Sequence, residues 1–247
     1  MEIKKLNEKL IFGIKKFFKE TNKDKAVLGL SGGIDSALVL SLLCESIGNE
    51  NVTALLMPNK KITKNSNTID AERLAKKLKI KYYIIQIDSF IQLFENLSWE
   101  QNKIAKANTN ARIRAILLYN FANSTNSLVA GTGNKTEINL GYFTKYGDAA
   151  ADFFSIGALL KTQVRELAKY RNLPQEFLDK NPSAELWVGQ EDEKEFGMAY
   201  TELDLLLPLI LENKEIPLTI SNEKIKKIKT LISSSQHKRE QPKIIEV

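Results

Sequence analysis

Cysteine is almost missing from this 247-residue sequence: Cys44 stands alone, so neither an internal disulfide nor a Cys-x-x-Cys metal or redox site can form. Histidine is as scarce, with His237 the sole example. No run reaches the roughly 20 uninterrupted apolar residues of a membrane helix, because Lys or Asn breaks each one first. Internal repeats and low-complexity tracts are also lacking. A cytoplasmic protein with no membrane role is expected. What remains is 43% hydrophobic, ample for a core in one large domain. The net charge of +6 favours anionic partners, but the lysines are spread along the chain, so phosphorylated small molecules explain it as well as nucleic acid does. At the N-terminus Ile3, Leu6, Leu10, Ile14 and Phe17 follow helical spacing with no cleavage site, which predicts an amphipathic helix.

Apolar, β-rich runs alternate with helix-period segments through the first half. Strands are predicted at residues 26–30, 52–56, 82–87 and 128–131, with crossover helices at 36–47, 69–78 and 104–122. The expected class is α/β, a doubly wound parallel sheet whose ligands bind outside the carboxyl ends of the strands. From about Gly141 the pattern changes to a glycine-punctuated aromatic stretch and then helices near residues 161–171, 201–211 and 222–233, with no new strand expected. We read one domain over 1–247, with an α/β core at 1–140 and a lid and helical part at 141–247. The acidic run Glu191, Asp192, Glu193 and the basic run His237, Lys238, Arg239 read as solvated loops.

The sharpest local feature is Ser31-Gly32-Gly33-Ile34-Asp35-Ser36, between a predicted strand and a predicted helix. Two glycines let successive N–H groups curl inward, and the following helix adds its positive end, which together make an anion nest. Ser31 and Ser36 can donate to phosphate oxygens. Asp35 would repel phosphate and suits Mg²⁺. A Walker A lysine is absent, which argues against ordinary kinase or GTPase chemistry.

This loop resembles the SGGxDS pyrophosphate loop of the ATP pyrophosphatase superfamily, whose members cleave ATP between its α and β phosphates. Four further segments resemble the ammonia-dependent NAD synthetases in their order: 108–114 (NTNARIR), 131–137 (GTGNKTE), 141–152 (GYFTKYGDAAAD) and 237–239 (HKR). The resemblance implies ATP contacts from Gly29, Leu30, Ser31, Gly32, Gly33, Ile34, Asp35, Ser36, Thr132, Lys161 and Ser183, and Mg²⁺ on Asp35 and Glu137. It implies that Arg112, Lys145, Asp152, His237 and Lys238 bind nicotinic acid adenine dinucleotide. Of the two arginines in 108–114, only one can point into the site, and Arg114 suits an exposed face better than Arg112. Asp148 sits where ammonia should arrive, and we read it as the group that attracts ammonium and takes its proton. Gly133 and Asn134 replace a typical Asp-His pair, and Ala149 and Ala150 replace glycines, which puts any positive φ there in question.

The implied reaction activates a carboxylate by adenylation, releases pyrophosphate into the loop, and amidates the acyl-adenylate with ammonia. No covalent enzyme nucleophile is needed. Glutamine as nitrogen source would require a further glutaminase domain, for which these residues leave no room. A homodimer is implied by resemblance alone. The competing readings are a tRNA-modifying enzyme of the same superfamily, whose thiolating branches need more cysteines, and a non-catalytic ATP sensor, which would leave Asp35, Glu137 and Lys161 without a task.

Overall fold

The computed structural model describes residues 2–187, 189–217 and 220–246. Helix α1 (Ile3–Glu20) buries Leu6, Ile11, Ile14 and Phe18 and ends where Asn22 takes a left-handed conformation. Then come β1 (Ala26–Gly29), α2 (Ile34–Ile47), β2 (Val52–Leu56), α3 (Asn65–Lys77) and β3 (Lys81–Ile84). A short α4 (Asp88–Gln92) precedes the long α5 (Lys103–Thr125), whose first turn is capped by Asn102 accepting from the Ala105 amide at 2.8 Å. Next are β4 (Leu128–Gly131), α6 (Lys135–Leu140), β5 (Phe153–Phe154), α7 (Lys161–Tyr170) and α8 (Gln175–Leu178). Helices α9 (Asp192–Phe196), α10 (Tyr200–Leu211), α11 (Asn222–Ser234) and α12 (Gln236–Arg239) complete the order.

All five strands are parallel in the order β3-β2-β1-β4-β5. The alternation of side chains along β1 explains the layering. Ala26 and Leu28 join Val52, Ala54 and Leu56 of β2 under α1, α2, α3 and α7, while Val27 joins Leu55 and Val129 under α5. Helix α2 is sandwiched between the sheet and α1 and α7, so Leu38, Leu40, Leu42 and Leu43 are all wholly buried, and Glu45 is its one exposed side chain. Truncating one of these leucines to alanine costs about 2–5 kcal/mol. The chain leaves β1 for β2 and β3, then returns to β4 on the other side of β1. The topological switch point therefore lies between the carboxyl ends of β1 and β4.

The structure corrects several expectations. A strand does follow Gly141: the two-residue β5 pairs with Ala130 and Gly131 of β4. It is too short to show alternation, and tertiary contacts hold it. Phe153 packs its ring 4.9 Å from Phe17 and 5.5 Å from Phe18, while Asp152 brackets Val129, accepting from its amide through Oδ2 (2.7 Å) and donating its own amide to its carbonyl (2.9 Å). Past residue 141, Ile156, Leu159, Val164, Leu167 and Phe177 join the core under α2. A separate cluster of Leu140, Phe196, Leu203, Leu207 and Ile228 joins α6, α9, α10 and α11. The third strand stops at Ile84, and α3 begins four residues before the predicted start. Of the acidic run, Glu193 is exposed as expected, but Asp192 is 3% exposed and accepts from the hydroxyls of Tyr142 (3.1 Å) and Tyr200 (3.0 Å) and from the Ala184 amide (3.0 Å). Lys238 and Arg239 likewise spend their protons on carbonyls of residues 138–143.

Cys44 lies in the core on α2, and burial pushes its thiol up from 9.0 to about 12, with Arg171 opposing the shift. The folded state holds a proton that the unfolded chain releases, so stability is unaffected below pH 9 and falls as pH rises toward 12. In Cys44→Ala, denaturant titrations across that window should lose up to about 1.4 kcal/mol per pH unit of slope. Iodoacetamide should label native Cys44 only on unfolding.

Candidate functional site

The loop from Ser31 to Ser36 spans the carboxyl end of β1 and the first turn of α2. Its hydroxyls organise it from within: Ser36 Oγ donates to the Gly33 carbonyl (3.0 Å) and accepts from the Ser31 amide (3.3 Å), and Ser31 Oγ accepts from the Gly33 amide (3.2 Å). Gly32 has φ +86°, and a Cβ there would stand 2.3 Å from the Asn67 carbonyl oxygen. Only glycine fits both the torsion and the space. Gly33 is the N-cap of α2, so the helix's free amides face the loop.

Opposite this loop, across the switch point, the first turn of α6 supplies Glu137. Asn134 caps α6 in a capping box, its Oδ1 accepting from the Glu137 amide at 3.0 Å while Glu137 Oε2 accepts from the Asn134 amide. The same Asn134 donates through Nδ2 to Asp35 Oδ1 at 2.9 Å. Between the two carboxylates lies the ammonium of Lys161, the first residue of α7, at 2.5 Å from Asp35 and 3.0 Å from Glu137. Lys161 is 2% exposed. Burial alone would lower its pKa, but Asp35 and Glu137 more than offset this and hold it above the ordinary lysine value. Burial raises the pKa of Glu137, with Lys161 opposing the shift. The ammonium also lies 5.3 Å from the centre of the Tyr200 ring. Asp204 of α10 fixes the backbone beneath, accepting from Thr136 Oγ1 (2.6 Å) and from the Thr162 amide (2.7 Å).

These groups line a cavity of about 740 Å³. A second cavity of about 350 Å³ adjoins it, and Glu137, Tyr142, Phe143, Asp148 and Lys238 line both. Asp148 is held by the Thr144 amide at 2.9 Å, and enclosure by the protein raises its pKa against the pull of that bond and of Lys238. Asp148 lines both cavities. Lys145, at the second cavity, donates to the carbonyls of His237 and Glu240, which straps the C-terminal segment across the 141–152 loop. Ala149 and Ala150 have ordinary φ; in this loop the left-handed residues are Gly141 and Tyr146.

Asp35 and Glu137 fit a divalent cation of the magnesium kind. They are hard oxygen donors from separate loops that already face one cation, Lys161. Among the described residues no group of three or more His, Cys, Asp or Glu side chains gathers to hold a metal. Two carboxylates completed by substrate phosphates and water is a common arrangement for magnesium.

The larger cavity thus brings together the whole run from Gly29 to Ser36 with Thr132, Glu137, Asp148, Lys161, Ser183 and Lys238, and the smaller one adds Lys145. Three expected substrate residues line neither cavity. Arg112 is exposed and its Nε donates to the Lys145 carbonyl at 3.3 Å, Asp152 brackets β4, and His237 is exposed. Arg114, expected on an exposed face, instead lines the larger cavity and donates to the Met57 carbonyl at 3.0 Å. The helix turns by about 100° per residue, so residues two apart face apart. That reasoning separates the two arginines without saying which faces inward. The sequence reading gives Asn134, Asp192 and Asp204 no role at the site. Only Asn134 carried a local signal, the Asn-x-x-Glu cap pattern.

In Gly32→Ala the loop cannot keep its conformation, and affinity for pyrophosphate, read by calorimetry, should fall by at least about tenfold. An unchanged affinity would contradict the anion nest.

The NAD synthase family model matches residues 6–242. An NH(3)-dependent NAD(+) synthetase of Archaeoglobus fulgidus is 42% identical, with all of this chain and 98% of that protein covered. Among solved structures, the NH3-dependent NAD synthetase of Campylobacter jejuni superposes with a TM-score of 0.86 at 38% identity, and the NMN synthetase of Francisella tularensis with 0.90 at 36%, each with both chains fully covered. With a glycine loop, a caged lysine and two joined cavities built at the switch point of this sheet, and with relatives of that kind along its full length, the chain belongs to the NAD synthase family.

Proposed function

We propose that this protein is an ammonia-dependent NAD synthetase, which uses ATP to convert the carboxylate of nicotinic acid adenine dinucleotide into the carboxamide of NAD. The observation that carries this reading is the adjacency of two cavities, one ending on the phosphate loop and the other on Lys145, with Asp148 in the wall they share. ATP occupies the larger cavity with its β and γ phosphates on the loop from Ser31 to Ser36, and Thr132 and Ser183 add hydroxyl contacts. The nicotinate end of the dinucleotide enters from the smaller cavity. Arg112, Asp152 and His237 lie outside both cavities, and their contact with the dinucleotide would involve its far end or a second protomer.

A carboxylate resists ammonia because it is anionic and oxide is a poor leaving group. In the first step a nicotinate oxygen forms a bond to the α phosphorus of ATP while the bond from that phosphorus to the bridging oxygen breaks. Pyrophosphate leaves on the loop, and an acyl-adenylate remains. The fixed ammonium of Lys161 neutralises charge growing on the α-phosphate oxygens without reorganisation. Asp35 and Glu137 would hold Mg²⁺, which when bound adds positive charge to the phosphates and orients them. In the second step ammonia bonds to the acyl carbon, AMP departs, and the nitrogen loses a proton. Asp148 attracts ammonium and accepts a proton from it, a task suited to a carboxylate whose pKa is raised by its surroundings. No side chain forms a covalent intermediate, so catalysis rests on position and charge.

A homodimer is part of this reading. Leu93 (75% exposed), Trp99 (63%), Ile104 (66%) and Ile116 (66%) are exposed large apolar side chains on and just before α5 that a second copy would cover. Among the described residues no helix is long and apolar enough to cross a membrane, in keeping with work in the cytoplasm. The likeness to a protein named NMN synthetase favours one second reading, that the mononucleotide is the better acid substrate.

Purified protein with Mg-ATP and ammonium should release AMP and pyrophosphate when nicotinic acid adenine dinucleotide is added, and not with unmodified tRNA. Faster turnover of nicotinic acid mononucleotide would favour the second reading. Release independent of either acid would exclude both. Asp35→Asn should abolish dinucleotide-dependent ATP–pyrophosphate exchange. Asp148→Asn should keep most of that exchange and lose NAD formation; equal loss of both would remove the ammonia assignment.

A further inference from the structure

Lys180 follows α8 and lies far from the other charged groups of the site in sequence, yet its ammonium reaches the phosphate loop. It donates to the Gly32 carbonyl at 2.9 Å and pairs with Asp70 of α3 at 2.6 Å. Asp70 is 8% exposed, and the Lys180 side chain is three-quarters covered. The segment holding Lys180 is tied to α3 a second time, where Asn67 Nδ2 donates to Glu185 Oε1 at 2.5 Å. Asn67 is the residue whose backbone presses on Gly32. Phosphate loop, α3 and the 180–185 segment are thus pinned at one place by a lysine with no role so far.

We propose that Lys180 is a positioning residue that locks the Gly32–Gly33 peptide in the orientation the phosphate loop needs. A trans peptide points its C=O and N–H in opposite directions. With the Gly32 carbonyl held by Lys180, the Gly33 N–H is turned to the side of Ser31 Oγ, where the hydroxyls of Ser31 and Ser36 meet at 3.2 Å. Gly-Gly peptides flip readily because glycine tolerates both signs of φ. A flipped peptide would put a carbonyl oxygen among those hydroxyls, facing the anion. The glycines that let the loop curl therefore leave its orientation undecided, and the ion pair of Lys180 with Asp70 decides it. The Lys180 charge also lies on the anion's side of the balance, since Lys180 lines the larger cavity.

The inference rests on the proposed role of the loop in holding pyrophosphate, and one calorimetric series separates the two. Wild type, Lys180→Met, Lys180→Arg and Asp70→Asn are each titrated with magnesium pyrophosphate and with AMP, and KM for ATP and kcat are measured in parallel. Lys180→Met should bind pyrophosphate about 10- to 100-fold more weakly and raise KM for ATP by a similar factor, with AMP affinity unchanged and kcat little altered. Lys180→Arg should restore most of the affinity, and Asp70→Asn should fall between. Wild-type pyrophosphate binding in Lys180→Met would overturn the lock and leave the loop's role standing. Equal weakening toward AMP and pyrophosphate would also overturn it, since a general disturbance of the cavity has that signature. Failure of the wild type itself to bind pyrophosphate would sink the reading of the loop and the lock together.

Discussion

The site depends on one buried cation held between two carboxylates. Lys161 joins three pieces of chain: the β1–α2 loop through Asp35, the β4–α6 turn through Glu137, and its own helix α7. Taking a lysine to 2% exposure has a large desolvation penalty, which only close, hydrogen-bonded partners offset. Removing one partner of such a cluster costs about 3–5 kcal/mol, because the remaining charges stay buried. Relaxation of either loop would therefore meet a steep penalty. The geometry that catalysis needs is maintained by electrostatics, at some expense to stability.

Around that cation the neutral groups act as guides. Asn134 serves both carboxylates at once, capping α6 so that Glu137 points across the switch point and donating to Asp35. Asp204 ties the first turns of α6 and α7 together from the helical side. Asp192 binds the Tyr142 and Tyr200 hydroxyls and the Ala184 amide, so the segment carrying Ser183 cannot move independently of the cluster joining α6, α9, α10 and α11. These bonds also tie the Ser183 segment to Tyr142, which lines both cavities.

The sequence was most legible where local pattern and tertiary role coincide. The glycine pair after β1 can be read without coordinates, because the requirement for a curled backbone at a strand end is local. The same holds for α2, whose long apolar run between a predicted strand and the next marks a crossover helix. Legibility failed where the facing of a side chain depends on tertiary packing. The arginines at 112 and 114 differ by two places on one helix, and only packing on the sheet decides that Arg114 reaches the larger cavity and the Met57 carbonyl. β5 has two residues and no alternation, so its place depends on Asp152 gripping Val129 from a distance of 23 positions. Asp192 looked solvated because it sits among charges. Its burial comes from two tyrosines 50 and 8 residues away.

The central claim is that the substrate carboxylate attacks the α phosphorus and that pyrophosphate leaves onto the glycine loop. Oxygen labelling reads that event directly. With nicotinic acid adenine dinucleotide carrying ¹⁸O in its carboxylate, turnover with ATP and ammonia should deliver one ¹⁸O to the phosphate of AMP and none to pyrophosphate. Label in inorganic phosphate or pyrophosphate, or AMP free of label, would contradict the account.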